Sequence, residues 1–153
     1  MTFGEKSPFH FSTIRKNIFL WVEEYEACLQ QPSARISAMN GNVEALEREL
    51  TRLSELLHKH GHGGQATVVD QILATLGTPA PDYKRLAGID MWGGSGAVWE
   101  VCLTPSGKGN EDERAFLQTI IQLAATMDSL KIGTERSRSI ARTFQGWLDK
   151  GVI

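Results

Sequence analysis

The sequence predicts a mainly α-helical protein: a single domain over residues 1–153, a bundle of five or six helices with a glycine-rich turn and at most a short extended segment near residues 97–103. Two observations carry this prediction. Apolar residues recur at helical spacing through most of the chain, and only residues 97–103 combine β-branched and aromatic side chains in the way that favours extended backbone. A chain of this length buries roughly two thirds of its unfolded surface, which is enough for one core.

The composition excludes several classes of protein. With 41% hydrophobic and 22% charged residues, the chain is not intrinsically disordered, and a formal net charge of -2 gives no field that attracts nucleic acid. No run approaches the roughly 20 apolar residues of a membrane-spanning helix, and no signal-peptide pattern begins the sequence. We therefore expect a cytoplasmic protein without nucleic-acid or membrane partners. Cys28 and Cys102 lie among apolar neighbours, which predicts two buried thiols.

The clearest predicted helix carries a leucine-rich stripe. Its apolar residues alternate at spacings of three and four, and they are Val43, Leu46, Leu50, Leu53 and Leu57. Gly61 stands where a left-handed C-terminal cap is expected. The stripe either packs inside the bundle or pairs with a second copy in a homodimer. Because about two heptads are marginal for an isolated coiled coil, burial inside the bundle is favoured.

Periodicity predicts further helices on both sides of this one. A helix over residues 12–28 ends before Pro32, since the residue ahead of a proline disfavours helical backbone. Residues 65–76 form a shorter helix, and residues 82–87 a single helical turn. Asn110 caps a helix whose stripe includes Phe116 and Met127, and which Lys131 and Gly133 close.

The last predicted helix begins at Thr134 and ends at Gly151. Ile140, Phe144, Trp147 and Leu148 share one face of it, and this face is predicted to pack on the rest of the bundle.

The stretch MWGGSGAVWE, residues 91–100, holds three glycines between two tryptophans. A serine elbow needs G-x-S-x-G, but Ala97 stands where the last glycine is required. A dinucleotide loop fails because Trp99 occupies the third glycine position, and no Walker A lysine follows. We therefore predict no catalytic residue and no cofactor.

The same stretch has two remaining interpretations. Glycine permits positive φ or close approach of another segment, and tryptophans can anchor a turn. The stretch is either a packed structural turn or an exposed loop that binds a partner. Candidate partner-binding residues are Trp92, Gly93, Gly94, Ser95, Gly96, Trp99 and Glu100.

Two other clusters carry candidate binding chemistry. His58, His60 and His62 could supply imidazoles to a metal ion, although alternate spacing at a helix end fixes no geometry, and a solvated helix terminus explains them as well. Arg136, Arg138 and Arg142 add local positive charge that could bind an anion. A solvated helix face is the alternative, because Glu135 lies among them.

The motif of Trp92, Gly93, Gly94, Gly96 and Ala97 resembles that of a loosely characterised group of small, mostly helical bacterial proteins. These carry an aromatic-Gly-Gly-x-Gly-Ser/Ala motif after two or more helices, and they are commonly suspected to be immunity proteins of toxin systems. The resemblance covers less than half of the chain. Val98, Trp99 and Glu100 depart from the small polar or aliphatic residues that usually follow the glycines.

Three functional hypotheses follow. The first is a non-enzymatic cytoplasmic binding protein, which the resemblance makes an immunity or accessory protein that occludes a partner such as a toxin encoded nearby. The second is a small ligand-binding or anion-binding domain, or an enzyme, with a pocket near the glycine-rich loop. The third is a helical homo-oligomeric scaffold.

Overall fold

The computed structural model describes residues 39–104 and 111–152, all within one compact unit, Met39–Ile153. In these ranges 74% of the residues are helical and none forms a strand, which confirms the mainly α-helical bundle. No helix in the described ranges is both long and apolar enough to cross a membrane. The predicted helix over 12–28, the cap at Asn110 and the part of the predicted single domain before residue 39 lie outside the described residues.

Helix α1, described over residues 39–59, forms one wall of the core. Its fully buried side chains are Leu46, Leu50, Leu53 and Leu57. Gly61 then reverses the chain with φ +78°, as its predicted role as a C-terminal cap requires. Helix α2, Gly63–Leu76, follows at once and buries Val69 and Ile72. The four leucines of the predicted stripe thus pack inside this unit, while Val43 at its start is half-buried.

Two single-turn helices come next, α3 at Tyr83–Leu86 and α4 at Ile89–Trp92. The Asp82 carboxylate accepts a hydrogen bond from the backbone N–H of Arg85 at 2.9 Å, which confirms the helical turn predicted over residues 82–87. Sequence periodicity missed α4 because a single turn is too short to show a period.

Residues 97–103, where the sequence favours extended backbone, instead contain one 3-10 turn, Val98–Glu100. The backbone is extended on either side of it, at Ala97 and Val101. A strand needs a partner ladder, and the described residues contain none. The segment is fastened to the next helix, since the carboxylate of Glu113 accepts a hydrogen bond from the N–H of Leu103 at 2.8 Å.

Helices α5, Glu111–Ser129, and α6, Glu135–Asp149, pack against each other. Lys131, at φ +63°, and Gly133 make the turn between them. Thr134 begins α6 with a capping box: its hydroxyl accepts a hydrogen bond from the N–H of Ser137, and the hydroxyl of Ser137 accepts one from the N–H of Thr134, both at 3.0 Å. This confirms the predicted cap.

One carboxylate is buried between α1 and α5. Glu49 is 7% exposed, and its Oε2 accepts a hydrogen bond from the hydroxyl of Thr126 at 3.0 Å. Burial raises the pKa of Glu49, and the hydrogen bond and the charge of Arg48 offset only part of that rise.

Candidate functional site

The glycine turn, residues 93–96, changes the chain direction between α4 and the 3-10 turn. A Cβ on Gly93 would lie 2.3 Å from the carbonyl oxygen of Ile89, so no other residue fits there without a backbone shift. Gly96 has φ +90°, in the region that favours glycine. Nothing lies within 4 Å of a Cβ built on Gly94. The conformation of the turn therefore requires glycine at Gly93 and favours it at Gly96, whereas Gly94 has room for a side chain.

The two tryptophans that flank the turn differ in exposure. Trp92 is only 2% exposed, and its Nε1 donates a hydrogen bond to the carbonyl oxygen of Leu86 at 2.8 Å. Trp99 is half-buried, and its Nε1 donates to the carbonyl oxygen of Gly93 at 2.7 Å. Trp92 thus joins α4 to α3, Trp99 holds the glycine turn, and of these two side chains only Trp99 reaches the surface.

Side chains from three elements fix the turn from outside. Arg136 of α6 donates a second hydrogen bond to the carbonyl oxygen of Gly93, at 2.8 Å. Gln65 of α2 donates to the carbonyl oxygen of Gly96 at 3.2 Å, and the carboxylate of Glu100 accepts a hydrogen bond from the N–H of Gly96 at 3.0 Å. The turn is therefore held on both sides.

Of the predicted partner-binding residues, Trp92 and Gly93 are buried and present no surface to a partner. The exposed ones are Gly94, Ser95, Gly96 and Glu100. We call these four exposed residues the tip of the glycine turn.

Beside the turn lies a cluster of three aromatic side chains, Trp99, Phe144 and Trp147, which we call the aromatic face. The ring centroids of Trp99 and Phe144 are 6.3 Å apart, and those of Phe144 and Trp147 are 5.2 Å apart. These separations are typical of favourable aromatic pairs. Phe144 is buried, whereas Trp147 is 40% exposed. The aromatic face thus begins in the core and ends in solvent.

A groove with a volume of about 730 Å³ runs along α6 beside the aromatic face. We call it the α6 groove, and its lining residues are Trp99, Glu135, Arg136, Ser139, Ile140, Thr143, Phe144 and Trp147. A second groove, of about 490 Å³, shares the three aromatic side chains and includes Glu100 and Cys102. The aromatic face therefore borders two open depressions.

The three predicted anion-binding arginines do not share one site. Arg138 donates to Asp128 at 2.7 Å, and this contact raises the pKa of Arg138. Arg142 donates to Glu135 at 3.0 Å. Arg136 points to the glycine turn and lines the α6 groove, while Arg138 and Arg142 line a different depression between α5 and α6.

The three histidines also have separate surroundings. Nε2 of His58 lies 2.9 Å from the carboxylate of Asp70, and Nε2 of His60 lies 2.9 Å from that of Asp112. His62 precedes α2 as its N-cap residue. Within residues 39–104 and 111–152 no three histidine, cysteine or carboxylate side chains are grouped so as to hold a metal ion.

The contacts of His58 and His60 join neighbouring helices and help to lower the pKa values of two carboxyl groups. The pKa of Asp70 is lowered by a hydrogen bond from Ser54 and then by His58. The pKa of Asp112 is lowered first by Lys59 and then by His60. Since His58 and Lys59 both belong to α1, these pairs join its end to α2 and to α5.

The prediction for Cys102 was wrong: its thiol is exposed. Its apolar neighbours in sequence do not cover the thiol: Leu103 is buried and Val101 is half-buried. The 3-10 turn and the extended backbone at Val101 point these side chains away from Cys102. The Sγ of Cys102 donates to the carbonyl oxygen of Thr104 at 3.3 Å. Cys28 lies outside the described residues.

The open part of α6 is what the sequence did not identify as a site. The helical spacing placed Phe144 and Trp147 on one packed face, whereas the structure leaves Trp147 at its edge. A tryptophan in the last turn of a helix was the available signal. Ser139 and Thr143, which add hydroxyl groups to the groove, gave none.

No protein-family model, no curated protein and no solved structure matches this chain. The assignment of a function therefore depends on the geometry of the glycine turn, the aromatic face and the α6 groove.

Proposed function

We propose that the protein is a non-enzymatic binding protein that holds a partner protein on the aromatic face and the exposed tip of the glycine turn. The observation that carries this proposal is the 40% exposure of Trp147 next to the half-buried Trp99. Tryptophan and arginine are enriched among the residues that dominate binding energy at protein interfaces. An exposed tryptophan beside a groove is therefore a suitable anchor for a partner.

The support beneath this surface favours binding. The turn that carries Trp99 is fixed by hydrogen bonds from Arg136 and Gln65, and Phe144 is buried under Trp147. A surface that is already ordered loses little conformational entropy when a partner binds.

We further propose that the partner is a toxin encoded by a neighbouring gene, and that this protein acts in the bacterial cytoplasm as an immunity or accessory protein that occludes it. The motif of Trp92 to Ala97, which resembles that of suspected immunity proteins, supports this proposal. Its exposed residues, Gly94, Ser95 and Gly96, lie beside the aromatic face, so that one partner could cover both.

Co-expression of the full chain with the product of the neighbouring gene tests this function. We expect the two proteins to co-purify, and we expect Trp147→Ala to weaken the complex by about 2 kcal/mol or more, the loss typical of an interface hot spot. Ile89→Ala is the matched control, because Ile89 is 82% exposed and lies outside the aromatic face. A neighbour that is not a toxin, together with the absence of a stable complex, would overturn the proposal.

The α6 groove favours a second candidate, a small-molecule or anion-binding domain. Its volume of about 730 Å³ and its aromatic lining with a few polar groups resemble ligand sites in other proteins. Thermal-shift measurements against nucleotides, anions and metal ions separate the two candidates. A true ligand at a hundredfold its dissociation constant stabilises the protein by roughly 2.7 kcal/mol. A shift of that size would favour the ligand-binding function.

A further inference from the structure

We infer that the part of the partner seated in the α6 groove is an acidic peptide segment, with apolar side chains against Trp99 and Trp147 and a carboxylate on the guanidinium of Arg136. This inference rests on the proposed function and names the chemistry of the partner.

The distribution of charge along the first half of α6 is the first argument. Asp128 and Glu135 are both paired, the first with Arg138 at 2.7 Å and the second with Arg142 at 3.0 Å. Arg136 has no carboxylate within ion-pair distance among the described residues, so it contributes the unbalanced positive charge of this face.

Glu135 also lines the groove, but its charge does not oppose an acidic ligand strongly. Its carboxylate lies 3.0 Å from Arg142, which balances its charge, and 3.6 Å from Arg138, which is itself paired with Asp128. A segment with a carboxylate placed at Arg136 is therefore complementary to the groove as a whole.

The hydrogen bonds of Arg136 are the second argument. A guanidinium group has five N–H donors, and the contact to the carbonyl oxygen of Gly93 at 2.8 Å is the hydrogen bond that it makes within the described residues. That contact orients the side chain and leaves N–H groups for a ligand. A planar carboxylate is the acceptor that suits this donor group best.

The apolar lining of the groove is the third argument. Between Arg136 and Trp147, the groove is lined by Ile140 and Phe144 on the helix and by Trp99 from the turn. Leucine or phenylalanine side chains on the same segment would remove this surface from water. The segment thus needs an acidic residue next to apolar ones.

Three short synthetic peptides test the inference on the full chain. They share the same leucine and phenylalanine positions, with glutamate, glutamine or lysine between them. Binding is followed through the indole N–H resonances of Trp99 and Trp147 in the ¹⁵N-labelled protein. We expect the glutamate peptide to bind about tenfold more tightly than the glutamine peptide, the ratio typical of one charge-assisted hydrogen bond, and the lysine peptide to bind most weakly. Equal affinities, or no shift of the Trp147 resonance with any peptide, overturn the inference.

Variants of the protein show which positive charge causes the preference for the glutamate peptide over the glutamine peptide. Arg136→Gln should remove the preference for glutamate over glutamine, and Arg136→Lys should restore part of it. Arg52→Gln is the matched control, because Arg52 is exposed on α1 and does not line the α6 groove. A preference that Arg136→Gln leaves unchanged contradicts the inference. If Arg136→Gln fails to fold, the peptide series on the unmodified protein still decides.

The same measurements separate this inference from the proposed function. If the inference alone is wrong, the complex with the partner protein still forms and still depends on Trp147, but its affinity does not respond to Arg136→Gln. If the proposed function is wrong, no partner complex forms. Since exposed charge pairs are screened by salt, a glutamate preference that persists unchanged at high salt also counts against Arg136.

Discussion

Helices α1 and α6 each carry an apolar stripe, but the two stripes end differently. The α1 stripe is covered along its length, from Leu46 to Leu57. The α6 stripe is covered at Ile140 and Phe144 and then opens at Trp147. The spacing of apolar residues states which side chains share a face of a helix, whereas coverage depends on which neighbouring elements reach that face. An apolar face that remains partly exposed is a candidate binding surface.

The largest difference in the free energy of unfolding is expected between substitutions at a buried position of the α1 stripe and at the exposed end of the α6 stripe. Leu50→Ala should lower the free energy of unfolding by about 2–5 kcal/mol, because it leaves a cavity in a fully packed region. Trp147→Ala should cost about 1 kcal/mol or less, mainly the contact with Phe144. Urea unfolding followed by circular dichroism measures both. If Trp147→Ala were as costly as Leu50→Ala, Trp147 would belong to the core, and the proposed site would lose its anchor.

The next largest effect concerns the turn that brings Trp99 to α6. Gly93→Ala should destabilise the protein by about 1–3 kcal/mol, since the added Cβ collides with the carbonyl oxygen of Ile89. Gly94→Ala should leave stability unchanged or raise it by up to about 1 kcal/mol, because the site is open and alanine restricts the unfolded chain. Thermal unfolding of both variants gives the comparison. Equal destabilisation by the two substitutions would show that the turn has another conformation.

A smaller effect is expected from the hydrogen bond that joins Trp99 to the turn. Trp99→Phe removes the Nε1 donor, but the carbonyl oxygen of Gly93 keeps the hydrogen bond from Arg136. We therefore expect a loss of about 1 kcal/mol. Trp92→Phe should cost more, because Trp92 is almost fully buried and is the donor to the carbonyl oxygen of Leu86. The same urea titration tests the order, and a larger loss for Trp99→Phe would contradict it.

Much of the fold in the described ranges could be predicted, because helical periodicity and capping residues are local signals. The stripe of α1, the reversal at Gly61 and the capping box at Thr134 all depend on residues within a few positions of one another. The single turn of α4 and the 3-10 turn carry no such signal. Hydrogen bonds from distant residues, such as that from Arg136 to the carbonyl oxygen of Gly93 between these two elements, help to hold them in place.

The site was only partly predictable for the same physical reason. The glycine turn is visible in the sequence, and the α6 groove beside it is lined by Trp99 and Arg136. The buried state of Trp92 and the open edge at Trp147 depend on tertiary packing, which the order of residues does not display. The arginines illustrate the limit: spacing placed them on one helix, but it could not tell that only Arg136 faces the α6 groove.

The smallest expected effect returns to α1, at the carboxylate buried beside the leucine stripe. The pKa of Glu49 is raised above its ordinary value by burial, so the folded protein holds this proton more tightly than the unfolded chain does. The contribution of Glu49 to stability is therefore greatest below the unfolded pKa of 4.5 and is lost as the pH rises through the folded pKa.

Glu49→Gln removes this titration while keeping an acceptor for the hydroxyl of Thr126. The difference in urea midpoint between the variant and the unmodified protein should stay constant at acidic pH and move in favour of the variant as the pH approaches neutrality. Glu47→Gln is the charge-matched control, because Glu47 is exposed on the same helix. An equal trend in both variants would assign the effect to the loss of one negative charge. A trend confined to Glu49→Gln would show that the pH dependence comes from the burial of this carboxylate between α1 and α5, beside the covered leucine stripe.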